Sequence, residues 1–280
     1  MQNKAAVACE LAGNIVKAAK LYTKAAEGGH PDAQYRLAWA YDHGELDLLT
    51  DKKEALKWYR QAAQRGNVYA QGRLGDAYEH GDYFGLLTDK KEALKWYRQA
   101  AQRGHVGAQW RLGVAYEDGD LDQAKDLVAA LMWFKKAAEG GNAIAQRRLG
   151  TAYEFGELTL AIHLEAARTW YQKAAEGGDT LAQHRLFWAS YGGTLGLKTD
   201  LEAASMWFKK AVNGDSEDED EEEDKLARLL RKLQVGYDFS MGAVGVATVV
   251  GVDRGGDGRG GGARLIQLGL ESDVPLGTAI

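Results

Sequence analysis

A period of about 37 residues governs this chain. An Ala-Gln dipeptide recurs with its glutamine at Gln34, Gln71, Gln109, Gln146 and Gln183, in steps of 37, 38, 37 and 37. An aromatic pair recurs at Trp58-Tyr59, Trp96-Tyr97, Trp133-Phe134, Trp170-Tyr171 and Trp207-Phe208, in steps of 38, 37, 37 and 37. Two unrelated markers that share one period define a repeat. A unit this short cannot bury a core alone, so its copies must stack. The segment LLTDKKEALKWYRQAAQRG stands verbatim at Leu48–Gly66 and Leu86–Gly104. Identity that extends to surface positions points to a recent duplication.

Each unit divides into two helices. Counted from its glutamine, the first carries Leu at +3, Ala or Gly at +4 and typically Tyr at +7, which in the first unit are Leu37, Ala38 and Tyr41. That is one face of an amphipathic helix. Ala at −1 and +6 (Ala33 and Ala40) lets a neighbouring helix approach closely. Gly44, Gly81, Gly119 and Gly156 are placed to end the first helix in a left-handed conformation. Asp51, Asp89, Asp126 and Asp200 lie seven residues before the Trp as caps of the second helix, and Asp51 with Glu54, and Asp89 with Glu92, make capping boxes. The second helix carries Ala55, Trp58, Tyr59, Ala62 and Ala63 on one face. The expected fold class is all-α, an α/α superhelical solenoid of helix–turn–helix repeats. Its units span 30–66, 67–104, 105–141, 142–178 and 179–214, after a partial N-terminal repeat over 1–29.

Composition agrees. Two prolines in 280 residues favour helix, and one cysteine, Cys9, excludes an internal disulfide framework and a multi-cysteine zinc site. Lys4 and Glu10 interrupt any signal-peptide apolar region, and the stretch Met241 to Val252 falls short of the ~20 residues that span a bilayer as a helix. The expectation is a soluble, intracellular, cytoplasmic protein.

The units resemble the Sel-one-like repeat family, a relative of the tetratricopeptide repeat. Unit two gives AQGRLGDAYEHG and then DKKEALKWYRQAAQRG, close to the family pattern, and the likeness covers about residues 14–214. It implies a right-handed superhelix whose first helices line a concave surface, and adaptor or scaffold work. Unlike the cysteine-rich members, this chain has no disulfide in each unit. Unit five departs from the pattern, with Phe187 at +4 and Gly192-Gly193 after the helix, so altered packing is expected there.

With the core face assigned, positions +1, +2, +5, +8 and +9 of the first helix remain. Position +2 is arginine in every unit: Arg36, Arg73, Arg111, Arg148 and Arg185. Two readings stand side by side. Such a row grips carboxylates along an extended partner, or it is a helix face whose arginines pair with Asp42, Glu79, Glu117 and Glu154. Positions +1 and +5 vary as a specificity surface would. Candidate contacts there are Tyr35, Trp39, Asp76, Trp110, Arg147 and His184, because aromatic rings beside arginine are hot-spot chemistry. For Trp39 and Trp110 packing against the adjacent repeat is the competing reading, and for Trp188 it is the favoured one.

The overall charge of −5 hides a block, since nine of the ten residues Asp215–Asp224 are acids. That segment reads as an acidic linker. Leu226, Leu229, Leu230 and Leu233 mark a C-terminal amphipathic helix over 225–234, expected to cap the stack. The Gly-rich 235–280 is expected to be mostly disordered. Opposite charges on one chain suggest that Glu217–Asp224 folds back on the arginine row.

No Gly-rich phosphate loop, H-E-x-x-H or G-x-S-x-G motif is present, and the six histidines do not cluster. The leading expectation is therefore not an enzyme. It is a protein-binding scaffold or adaptor that takes a protein or extended peptide, with no small-molecule cofactor, metal or membrane span, and nucleic acid is not the expected partner. The alternatives are a regulatory subunit that activates a bound enzyme and, behind it, a hydrolase using groove carboxylates.

Overall fold

A computed structural model of the chain describes residues 2–81, 84–213, 250–251 and 264–265. It divides into two units, Met1–Asp215 and Ser216–Ile280. In the second, the described residues are two antiparallel two-residue strands, β1 (Val250–Gly251) and β2 (Arg264–Leu265). The acidic run 215–224, the helix expected over 225–234 and the proposed fold-back lie outside the described residues, as does most of 235–280.

The first unit is all-α. Its helices are α1 (Gln2–Leu11), α2 (Ile15–Glu27), α3 (Pro31–His43), α4 (Lys52–Gln64), α5 (Val68–His80), α6 (Lys90–Gln102), α7 (Val106–Asp118), α8 (Leu127–Glu139), α9 (Ala143–Phe155), α10 (Leu164–Glu176), α11 (Thr180–Gly192) and α12 (Leu201–Asn213). Each packs on the one before it and the one after it, and α5 also touches α7. That is a stack of antiparallel helix pairs, a solenoid.

Local chemistry sets the helix ends. First helices start at a side chain four residues before the glutamine: Asn67, His105, Asn142 and Asp179 accept hydrogen bonds from Ala70, Ala108, Ala145 and Ala182 backbone N–H at 2.7–3.1 Å. His30 makes no such bond, but Pro31 at the first helical position is pre-set for the turn. Second helices start at Asp51, Asp89, Asp126 and Asp200, whose carboxylates accept from backbone N–H of the first turn at 2.9–3.0 Å. In unit four His163 takes that place, accepting from the N–H of Ala166.

The repeated glutamine closes the joint between units. Each Gln side chain is buried and donates to a carbonyl at the C-terminal end of the preceding second helix: Gln34 to Ala26, Gln71 to Ala63, Gln109 to Ala101, Gln146 to Ala138 and Gln183 to Ala175, at 2.9–3.1 Å. Such carbonyls have no partner inside their own helix.

The core alternates small and large side chains. Tyr59, Tyr97, Phe134 and Tyr171 are buried, and the +4 residue of the same unit lies beneath each ring. A Cβ added at Gly75 would stand 2.5 Å from the Tyr97 ring, and one at Gly113 would stand 2.5 Å from Phe134, so no larger residue fits without movement. In unit five Phe187 fills this place and packs at 5.6 Å against Phe208, and Ser190 stands where the tyrosine pattern puts an aromatic. The tryptophan before each of these rings is less buried than a core residue in units one, two and four, and a lysine lies over its indole, as Lys173 does over Trp170 at 4.4 Å.

The loop inside each unit is anchored by a leucine. Leu46, Leu121, Leu158 and Leu195 are buried although their backbone is left-handed, with φ of 57°, 53°, 51° and 55°. Unit two has one residue more, and Phe84 occupies the leucine site, with its ring edge against Tyr59 at 6.0 Å. The loops close when the backbone N–H of the capping residue donates to the carbonyl of Tyr41, Tyr78, Tyr116, Tyr153 or Ser190, at 2.7–2.8 Å.

Candidate functional site

The candidate residues sit on the first helices, α3, α5, α7, α9 and α11. At about 100° per residue, +3, +4 and +7 lie within about 60° of the glutamine, and −2, +1, +5 and +9 form a stripe on the opposite side. Position +2 borders that stripe and position +8 lies between stripe and core.

The arginines at +2 are engaged. Each reaches back to the +8 acid of the preceding unit. Arg73 Nη2 donates to Asp42 Oδ2 at 2.8 Å, and the Nε atoms of Arg111, Arg148 and Arg185 donate to Glu79, Glu117 and Glu154 at 2.8–3.2 Å, with a second guanidinium contact completing each pair. Arg36 makes the same contact with Glu10 of α1, its Nε at 3.0 Å, which shows that the first pair of helices keeps the register of a full unit. The guanidinium also turns to position +11 of its own unit: Arg36 to Glu45 at 2.8 Å, Arg111 to Asp120 at 2.6 Å, Arg148 to Glu157 at 2.6 Å, and Arg185 to the Thr194 hydroxyl at 3.4 Å. Asp82 holds +11 in unit two and lies outside the described residues. Glutamate or aspartate thus occupies +8 in every unit but the fifth, where Tyr191 stands, stacked on Phe187.

Second-helix tyrosines join the same network. Tyr59 donates to Asp42 at 3.1 Å, Tyr171 to Glu154 at 2.9 Å, and the Tyr97 hydroxyl lies 2.7 Å from Asp76 and 2.8 Å from Glu79. Asp42 is fully buried and also receives Lys52 at 2.8 Å. Burial pushes the Glu79 carboxyl up, but hydrogen bonds from Arg111 and Tyr97 outweigh it and hold the group below its ordinary range. Lys90, and then Arg111, hold Asp120 well below the usual range.

The variable positions are placed as follows. Tyr35 is half-buried, 6.3 Å from Trp39, 5.9 Å from Tyr59 and 5.7 Å from Tyr69. Trp39 stacks on His43 at 3.9 Å and donates its indole N–H to Glu45 at 3.0 Å, and the Arg73 guanidinium lies 5.9 Å from its ring. Asp76 is exposed, 4.0 Å from Arg73. Tyr35, Trp39, Arg73 and Asp76 therefore share one neighbourhood. Trp110 is half-buried and packs on Phe134 at 5.0 Å. Arg147 is paired with Asp179 at 3.0 Å. His184 is half-buried, and burial lowers its pKa. These last three stand apart from one another along the stack.

Two further positions complete the stripe. Phe155, at the free position +9, is 61% exposed, and Tyr69, Ile144 and Leu181 at −2, which the sequence reading does not include, are 57%, 45% and 43% exposed. The same angular count, extended one turn toward the N-terminus, reaches −2. Among the described residues no group of three or more His, Cys, Asp or Glu is placed to hold a metal ion, and no helix is long and apolar enough to cross a membrane.

The Sel1 repeat profile matches residues 10–30, 31–67, 68–105, 106–142, 143–179 and 180–216. Among solved structures, a Sel1 repeat protein from Oxalobacter formigenes is similar at 31% identity, with 75% of this chain and 85% of that one covered and a TM-score of 0.69. The antigen c5321 of uropathogenic Escherichia coli, which displays an SLR fold, is 30% identical over 72% of this chain and 50% of its own, with a TM-score of 0.47. No curated protein matches the chain.

Proposed function

This chain belongs to the Sel1 repeat family, and from that premise of a helical-repeat scaffold we propose that the exposed stripe of its first helices is a concave surface that binds an extended segment of a protein partner. One observation carries the reading. On the side of the first helices opposite the core, Tyr69, Ile144, Phe155 and Leu181 are exposed, and Tyr35, Trp39 and Trp110 keep part of their surface in solvent. Exposed apolar groups interspersed with polar ones are what partner surfaces look like. Tyr and Trp at such positions supply contact area at low entropic cost. The arginines hold successive helices in register, so the stripe stays rigid. Asp76, Arg147 and His184 add polar variation along it.

Affinity purification with mass spectrometry tests this, comparing the wild-type chain with Trp110→Ala and Tyr69→Ala and with a control at the exposed Met132 of α8. The expected outcome is loss of stoichiometric partners with the first two variants only. A partner set that survives both would rule the surface out.

A further inference from the structure

The sign of the partner follows from which charges the stack leaves over. An arginine at every +2 suggests a cationic surface that takes carboxylates. The structure instead commits each guanidinium to the +8 acid behind it and, in three units, to an acid of its own loop. The stripe of units one to three carries Asp32, Asp76 and Asp118, at −2, +5 and +9. By the count of about 100° per residue these lie within about 40° of each other on their helices. Asp32 accepts from the Asn67 amide at 2.9 Å, a neutral donor that leaves its charge in place, whereas Asp76 shares the Tyr97 hydroxyl with Glu79 and lies 4.0 Å from the Arg73 guanidinium. Asp118 is exposed. On the same stripe lie Tyr35, Tyr69 and Trp110, whose ring faces attract cations, while Trp39 is already stacked on His43 and lies beside Arg73. The other end differs. Arg147 is neutralised by Asp179, and Ile144, Phe155 and Leu181 make the stripe apolar over α9 and α11.

Resting on the concave-surface reading above, we propose that the occupant is a basic peptide segment, with lysines or arginines on units one to three and an apolar continuation on units four and five. An extended chain advances about 3.3 Å per residue, so a residue at every third position sets one cation about every 10 Å.

The test uses the full chain and two fluorescein-labelled peptides of equal length that end in the same leucine-rich segment. One carries lysine at every third position and the other glutamate. Fluorescence anisotropy at low salt is expected to show binding of the lysine peptide, at least tenfold tighter than the glutamate peptide and weakening as salt rises. Asp118→Lys, at an exposed site, and Asp76→Lys are each expected to weaken it several-fold, and the pair about tenfold. Circular dichroism melting checks that each variant is folded, and Asp118→Lys decides if Asp76→Lys, which loses the Tyr97 contact, is not. No binding of the lysine peptide, or indifference to Asp118→Lys, overturns the proposal. If both peptides bind equally and both are lost in Trp110→Ala, the charge preference falls while the scaffold surface stands. If the lysine peptide binds but Trp110→Ala and Tyr69→Ala do not weaken it, the surface itself is wrong and the proposal falls with it.

Discussion

Replacing Arg111 with methionine should loosen one joint of the stack in a measurable way. Methionine keeps the packing of the aliphatic stem and removes the guanidinium. Lost are the two-point contact with Glu79 and the contact with Asp120 at 2.6 Å. The side chain of Glu79 is only 12% exposed, so it is stranded rather than returned to water. A hydrogen bond to a charged group contributes about 1.5–3 kcal/mol, and breaking a fully buried pair costs about 3–5 kcal/mol. Glu79 keeps the Tyr97 hydroxyl at 2.8 Å and some water, which places the expected loss at about 2–3 kcal/mol. In a solenoid this loss falls on one nearest-neighbour interface. Urea unfolding followed by circular dichroism at pH 7 should therefore show a lower midpoint and a broader transition, as units on either side of α5 and α7 begin to separate. Glu79→Gln removes the stranded charge, so the double variant should recover part of the loss, with a coupling of about 1–3 kcal/mol. A loss below about 0.5 kcal/mol, the level of an ordinary surface substitution, would refute the claim that these arginines join the units. So would strict additivity in the double variant.

Two further outcomes are expected. Leu121→Ala, at a fully buried loop site, should cost about 2–4 kcal/mol in thermal or urea unfolding, and a near-neutral result would mean that the left-handed leucine is not the anchor of its loop. Acidification should lower the melting temperature in two stages. Burial depresses the pKa of His105 and His184 below the ordinary 6.5, so the unfolded chain takes up protons first and stability is lost as pH falls below about 6.5. Glu10, held low chiefly by its hydrogen bond from Arg36, and Glu79 both sit below the ordinary 4.5, so their stabilisation is intact above about pH 4.5 and is lost as pH falls through their folded pKa values. Melting curves at closely spaced pH values check this. His105→Asn, which keeps a capping side chain of the kind found at Asn67 and Asn142, should flatten the upper stage. A melting temperature that rises between pH 7 and pH 4 contradicts the assignment.

Much of the fold is legible because periodicity is a strong signal. The glutamine, leucine and alanine positions mark the buried stripe directly, and the aspartates before each tryptophan mark the second-helix starts. The acids at +8 were visible as arginine partners, although helical spacing alone does not say that they bridge successive units rather than turns of one helix. That needs the offset between neighbouring helices, which packing sets. The loop leucines were not legible. Leucine has no preference for left-handed backbone, and Leu46, Leu121, Leu158 and Leu195 adopt it because burying the side chain outweighs the local cost. Nor was the place of Glu10 in the register of the stack. Gln2 and Glu10 occupy the glutamine and +8 positions of the pattern, but Ala5 replaces the leucine between them and blurs it. Position −2 lies outside the turn on which the pattern is most visible, so the exposed Tyr69, Ile144 and Leu181 do not stand out in the sequence.

The tyrosine at position +8 of unit five has a bearing on how the array can change length. A unit joined after α12 would present an arginine at +2 to Tyr191, which has no charge to meet it, whereas a unit inserted between any two existing ones brings its own acid for the unit ahead and finds one behind. A unit added after α12 would lack the arginine–acid pair that every existing joint has. The verbatim copy in this chain, Leu48–Gly66 against Leu86–Gly104, is an interior one.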